Sequence, residues 1–228
     1  MIKGVFGILI TILLYIGIRK AYRHFDNKPL LSPLFITPIV LVAILLWQGI
    51  PYENYHLSAK YLTNILQPAT IALAIPLYKY FELLKKNFAK ILISIFFGTI
   101  VAITSTAAIS GLFNLNGEMA NSMIPHSVTA SIAIDISQSI GGIPAITAVF
   151  VVLTGIIGSI IGPIIIKYLR IENCIARGVL LGTSAHASGT SKAFEFGSIS
   201  GTISSVSMIL TGIFTIFAAP IFVSLISL

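Results

Sequence analysis

His126, Asp135 and His186 are the charged or titratable side chains set deep inside the apolar stretches of this sequence of 228 residues. They fall in two polar islands. Residues 125–142 read PHSVTASIAIDISQSIGG, and residues 182–197 read GTSAHASGTSKAFEFG. An imidazole can give or take a proton near neutral pH. A carboxylate can receive that proton, and hydroxyls can bond an anion. Polar groups at membrane depth are costly and line a cavity or a pathway, so these islands predict passage of something small and polar.

The elements that must position them are written in the composition. The chain is 56% hydrophobic and 9% charged, with mean hydropathy +0.99, whereas a soluble domain carries about 25% charged residues. Stretches free of Asp, Glu, Lys, Arg and His cover residues 29–52, 61–78, 91–117, 136–166 and 196–228. Each is near or above the ~20 residues that span a bilayer as a helix. They are Ile-rich without alternating polarity, which excludes a β-barrel and predicts an all-α integral membrane protein, one transmembrane domain over residues 1–228. The net charge of +7 does not signal nucleic acid, because the basic residues bracket apolar spans and form no continuous patch. The single cysteine, Cys174, excludes an intrachain disulfide and a CxxC metal site. Arg19 and Lys20 directly follow the first apolar run with no small-residue cleavage site, so that run is expected to stay as a helix.

About seven membrane helices are predicted: helix 1 at residues 3–18, helix 2 at 33–50, helix 3 at 62–78, helix 4 at 90–113, helix 6 at 143–169, helix 7 at 175–194 and helix 8 at 202–226. Residues 123–139 are ambiguous. Eleven of the 14 basic residues lie in residues 19–28, 79–90 and 167–177, which marks these as cytoplasmic loops of a plasma-membrane protein. Residues 51–61 and 114–122 carry only Lys60 and are expected outside. Helix 4 then ends outside where helix 6 begins, so residues 123–139 must return to the side they left. Such re-entrant backbone survives only buried in protein or facing a water-filled cavity. The scheme makes helices 2–4 and 6–8 inverted three-helix repeats, a common transporter construction. It leaves Lys192 on the external side, against the charge rule.

Three segments carry the candidate binding residues. In helix 3, Pro68 and Pro76 bracket a short apolar run; each frees a carbonyl, and Thr70 lies between them. In residues 125–142, Pro125 is expected to open a half-helix whose free amides and positive end attract an anion, with His126, Ser127, Thr129 and Asp135 alongside. In helix 7, Gly182, Thr183, Ser184, His186, Gly189 and Thr190 form a small, polar cluster that permits close backbone approach. Lys192 and Glu195 are expected to pair at the interface. Gly155, Gly158 and Gly162 predict tight helix packing. No GxSxG elbow or HExxH motif is present, so neither catalysis nor a metal or cofactor is expected.

At these segments the chain resembles the LrgB/CidB family of bacterial membrane proteins. The likeness lies in QPATIALAIPLYK (67–79), PHSVTASIAIDISQSIGGIPAITAVFVVLTGIIGSIIGP (125–163) and ARGVLLGTSAHASGTSKAFEFG (176–197), and extends from about residue 31 to the end. The family's GTxxHxxGTxxAxE pattern is intact from Gly182 to Glu195. Its basic residue after the proline of PKSVT or PRSIT is His126 here, a titratable group in place of a permanent charge. The resemblance implies an antiholin-like or holin-like protein linked to control of murein hydrolase activity and cell lysis, acting with a small LrgA/CidA-type membrane protein. It implies equally, through related members that include a plastid branch, transport of small monocarboxylates such as glycolate, glycerate or pyruvate. Proton coupling and homo-oligomerisation are further expectations.

Overall fold

The computed structural model describes residues 6–24, 33–72 and 74–226, and among them regular structure is helical throughout. The chain forms two compact units, Met1–Ala74 and Ile75–Leu228. The first contains α1 (Phe6–His24), α2 (Pro33–Trp47) and α3 (Tyr52–Ala72), and a short α4 (Ala74–Lys79) follows. The Gly7 amide donates to Ser58 Oγ at 3.0 Å, and Thr11 Oγ1 lies 3.0 Å from the Tyr55 hydroxyl. These contacts join the first turns of α1 to the first two turns of α3. Residues 51–61 are not the predicted loop; Tyr52 begins α3, and its first turns supply the partners of α1.

The second unit contains α5 (Phe81–Leu112), α6 (Gly117–Met123), α7 (Ala130–Ser139), α8 (Pro144–Tyr168), α9 (Cys174–Glu195) and α10 (Ser198–Ile226). Among the described residues α5, α8 and α10 are each long and apolar enough to cross a membrane. α5 and α10 are parallel. The Tyr80 hydroxyl, at the start of α5, lies 2.6 Å from Ser198 Oγ at the start of α10. Farther along, Phe96 packs edge-on against Phe214, and beyond them Ile103 shares an apolar cluster with Ala219 and Phe222. α8 runs the opposite way, with Val151 in that same cluster and Ile166 in another at the far end.

The largest departure from the sequence expectation is α9. Its residues are helical except His186, which has φ 40° and ψ −125°. In a straight helix residues 181 and 189 would be about 12 Å apart, yet a Cβ on Gly189 would strike the Leu181 carbonyl oxygen. Ala193 joins Leu181 and Ile166 in one buried cluster, and the Arg177 guanidinium lies 5.5 Å from the Phe196 ring. Both limbs also meet the same residue of α10: Gly182 abuts the Ser204 carbonyl, and Thr190 Oγ1 lies 3.0 Å from Ser204 Oγ. α9 is a hairpin that ends beside its own beginning. Predicted helix 7 is therefore no crossing, helix 8 runs opposite to the expected direction, and the second inverted repeat loses its middle span. Lys192 now lies at the same end as Lys167, Arg170 and Arg177, which removes the anomaly in the charge pattern.

Candidate functional site

The expected re-entrant element closes on itself in the structure. The Ile143 amide donates to Ser122 Oγ at 2.6 Å, and the Asn121 side-chain amide donates to the Ile140 carbonyl at 2.7 Å. Residues 122–143 thus leave one point and return to it. Thr147 ties this base together: its hydroxyl lies 2.6 Å from Ser137 Oγ and 2.9 Å from the Ser122 carbonyl oxygen. Gly141 turns the chain there with φ 77°, a conformation that side chains disfavour.

At its tip the half-helix begins later than the sequence suggests. Residues 124–128 form turns, with the His126 amide bonded to the Met123 carbonyl and the Val128 amide to the Pro125 carbonyl. Helix α7 starts at Ala130, so Pro125 is not its first residue; Thr129 is the cap, extended at φ −64° and ψ 146°, and its hydroxyl caps no amide. The first amides of α7 are thus left without a side-chain partner, and unpaired amides at a helix start favour an anion. Ser127 is 3% exposed, and its hydroxyl has no hydrogen bond among the described residues. The Nδ1–H of His126 donates to the Met123 carbonyl at 3.1 Å, with Thr106 Oγ1 at 3.4 Å.

The α9 hairpin brings His186 to its apex. The imidazole Nε2–H donates to the Val151 carbonyl at 3.0 Å, and the residue is buried. A non-glycine residue at φ 40° costs about 1–3 kcal/mol of backbone strain, so a glycine would serve the turn better; histidine stands there for its side chain. Glycines let the hairpin approach its neighbours. Gly155, Gly158 and Gly162 of α8 face His186, Ala185 and Leu181, while Gly178 and Gly182 face Ile203 and Ser204 of α10. The stripe in α8 therefore serves packing within one chain. Thr183 packs against Gly98, and its Oγ1 is buried without a partner.

The two tips converge on one residue of α8: Val151 packs with Ile124 and Val128 of the outer tip, and its carbonyl accepts from His186 of the inner one. Gly155, which touches His186, is one residue from the midpoint of α8. Thr106, beside His126, is six residues before the end of α5, about 9 Å inside that end. The structure thus gathers His126, Ser127, Thr129, Thr183 and His186 around the tips, with Gly182, Gly189 and Thr190 holding the inner one. It does not gather all the predicted residues. Asp135 is exposed, farther along α7, and makes no ion pair or hydrogen bond among the described residues. Ser184 is exposed and returns its hydroxyl to the Leu180 carbonyl at 2.7 Å. Pro68 lies inside α3 and is exposed; the side chain of Thr70 lies outside the described residues. Lys192 and Glu195 form the expected pair at 2.6 Å.

Sequence reasoning passed over a buried ladder of hydroxyls. Ser200, Thr202, Ser204, Ser205, Ser207, Thr211 and Thr215 of α10 are all buried. Ser207, Thr211 and Thr215 each return their hydroxyl to the carbonyl four residues back, at 2.7–2.8 Å. The signal was the four-residue spacing of Ser and Thr; it was hidden because the stretch carries no charge.

Apolar helices of this length, glycine-mediated packing and polar re-entrant tips define a membrane protein whose interior carries polar groups. The LrgB-like family profile matches residues 11–225, and the chain belongs to that family. It is 53% identical over 224 residues to "Uncharacterized protein YwbG" of Bacillus subtilis (strain 168), covering 98% of this chain and 99% of that one. It is 37% identical over 216 residues to "Uncharacterized protein YxaC" of the same strain, covering 95% and 94%. It is 34% identical over 217 residues to "Antiholin-like protein LrgB" of Bacillus mycoides (strain KBAB4), again covering 95% and 94%. No solved structure matches.

Proposed function

We propose that the protein is a secondary carrier of small monocarboxylates, of the pyruvate, glycolate or glycerate type, in the bacterial plasma membrane. The observation that carries this reading is the convergence of the two re-entrant tips on Val151. Unpaired amides of α7 with Ser127 and Thr129 suit a carboxylate, and His126 and His186 suit the proton that would travel with it. The partnerless Thr183 hydroxyl adds a donor beside them. Opposed hairpins would let each side open in turn, with the site between them. Neither a metal nor a cofactor enters this scheme, and no bond of the substrate is broken. Uptake of radiolabelled pyruvate or glycolate into proteoliposomes tests it. Uptake is expected with the unaltered protein and not with the His126→Ala/His186→Ala/Thr190→Ala variant; undiminished uptake by that variant would refute the site.

A second reading follows from the name of the Bacillus mycoides relative, an antiholin-like protein. Here the chain restrains lysis through helix contacts with an LrgA/CidA-type small membrane protein or with its own copies, and murein hydrolase activity follows. Membrane leakage or altered autolysis that tracks oligomerisation and ignores added carboxylate would favour it. The glycines of α8 are already occupied by α9, so they do not supply that interface.

A further inference from the structure

We propose that Gly155 and the Val151 carbonyl form a seat that fixes the His186 ring, holding Nε2 on the protein and leaving Nδ1 as the ring's working nitrogen. The proposal deepens the carrier reading and rests on it for its consequence in transport, though the seat itself is a matter of geometry. In an α-helix the carbonyl of one residue is overhung by the residue four positions on. Gly155 is that residue for Val151. Without a side chain there, the Val151 oxygen can receive a second donor, and Nε2–H of His186 reaches it at 3.0 Å.

The space is filled by the imidazole. A Cβ on Gly155 would lie 2.6 Å from His186 Cε1, 2.9 Å from Nε2 and 2.9 Å from Ser188 Oγ. Gly158, next along the same seam, meets Ala185 and the Ser184 carbonyl oxygen, and Gly162 meets Leu181 and Leu180. They close the helices; Gly155 alone of the three admits a functional ring. With Nε2 bearing the proton and bonded to a carbonyl, neutral His186 can act only as an acceptor, through Nδ1. Nδ1 has no hydrogen-bond partner among the described residues. Gly155 is a positioning residue: it acts on a substrate or a proton through His186.

The test uses the full chain in lipid nanodiscs with ¹⁵N-labelled histidine rings, the His186→Ala variant assigning the signal. The wild type is expected to show His186 in the Nε2–H form with an unprotonated Nδ1. Gly155→Ala should scatter that signal between tautomers, and Gly162→Ala, whose new methyl meets only leucine side chains, should leave it intact. An Nδ1–H form in the wild type, an unchanged signal in Gly155→Ala, or equal loss in both variants would overturn the seat. If Gly155→Ala fails to fold, it is placed in a His186→Ala/Ser188→Ala background, which removes both side chains that the new methyl meets. Recovery of folded protein supports the seat, and continued failure overturns it. In uptake assays Gly155→Ala should lower the rate about tenfold, the equivalent of one lost hydrogen bond, and should add nothing to His186→Ala. A wild type that takes up no carboxylate overturns the carrier reading, while the histidine signals still decide the seat.

Discussion

The two re-entrant elements reach the same depth by different means. The outer one, residues 122–143, is a run of turns followed by a ten-residue helix, tied at its base by Ser122, Ser137 and Thr147. The inner one, α9, is helical in both limbs and is closed along its whole length by glycines against α8 and α10. Polar bonds at the base and buried apolar side chains from Ile124 to Ile140 hold the first; backbone contact all along holds the second. The difference teaches which of them can repack. Side chains can shift without the backbone, and the His126 imidazole meets α5 through a long contact, 3.4 Å to Thr106, while Ile124 and Val128 beside it pack with Ile103. An element packed along its limbs must move with its neighbours or stay.

The strongest way to break this comparison is a matter of sides, all or none. Cys174 is the single cysteine and is exposed. In a Cys174→Ser background, Lys192→Cys should react with a membrane-impermeant maleimide from the cytoplasmic face, as Cys174 does in the unaltered chain. Labelling of position 192 from outside would restore a spanning helix and remove the inner hairpin.

Next in size is Gly189→Val. The new side chain would meet the Leu181 backbone, which cannot yield, so a loss of more than about 3 kcal/mol is expected, seen as aggregation in detergent. The matched change in the outer element, Gly141→Ala, meets the Asn121 side-chain amide at an ordinary 3.9 Å and costs only what φ 77° demands, about 1–2 kcal/mol. Equal damage from the two would erase the contrast.

A smaller effect sharpens it. Thr147→Val removes the hydroxyl shared by Ser122, Ser137 and Ile143, at a cost of about 1–3 kcal/mol. Hydrogen exchange should rise within residues 122–143 and stay unchanged in α9; a rise in both would mean the two hairpins open together. The smallest effect belongs to Thr190→Ala, about 1 kcal/mol, and a double-mutant cycle with Ser204→Ala should show the two changes to be non-additive. Additive losses would mean that the 3.0 Å contact does not hold the returning limb.

Much of this was legible in the sequence, for reasons that also explain the failures. Lipid as the solvent follows from composition alone. The outer hairpin follows from charge counting, since residues 114–122 and the start of α8 had to share a side. The inner hairpin did not show itself, because residues 175–194 have the length of a crossing and both limbs keep helical periodicity. A reversal at one residue changes no pattern. Its traces were the misplaced Lys192 and a series of glycines, Gly178, Gly182 and Gly189, on surfaces that needed close approach. The start of α7 was misjudged because Pro125 can open a turn as readily as a helix. Asp135 was grouped with the histidines by its neighbours in sequence, yet the geometry of α7 turns it outward.

The reversal in α9 also decides where the tail emerges. With α10 rising from the basic end in step with α5, residue 226 is expected on the side away from the cytoplasm, given that the basic end faces the cytoplasm. An alkaline phosphatase fused there would be active, and a green fluorescent protein exported by the general secretory route would stay dark.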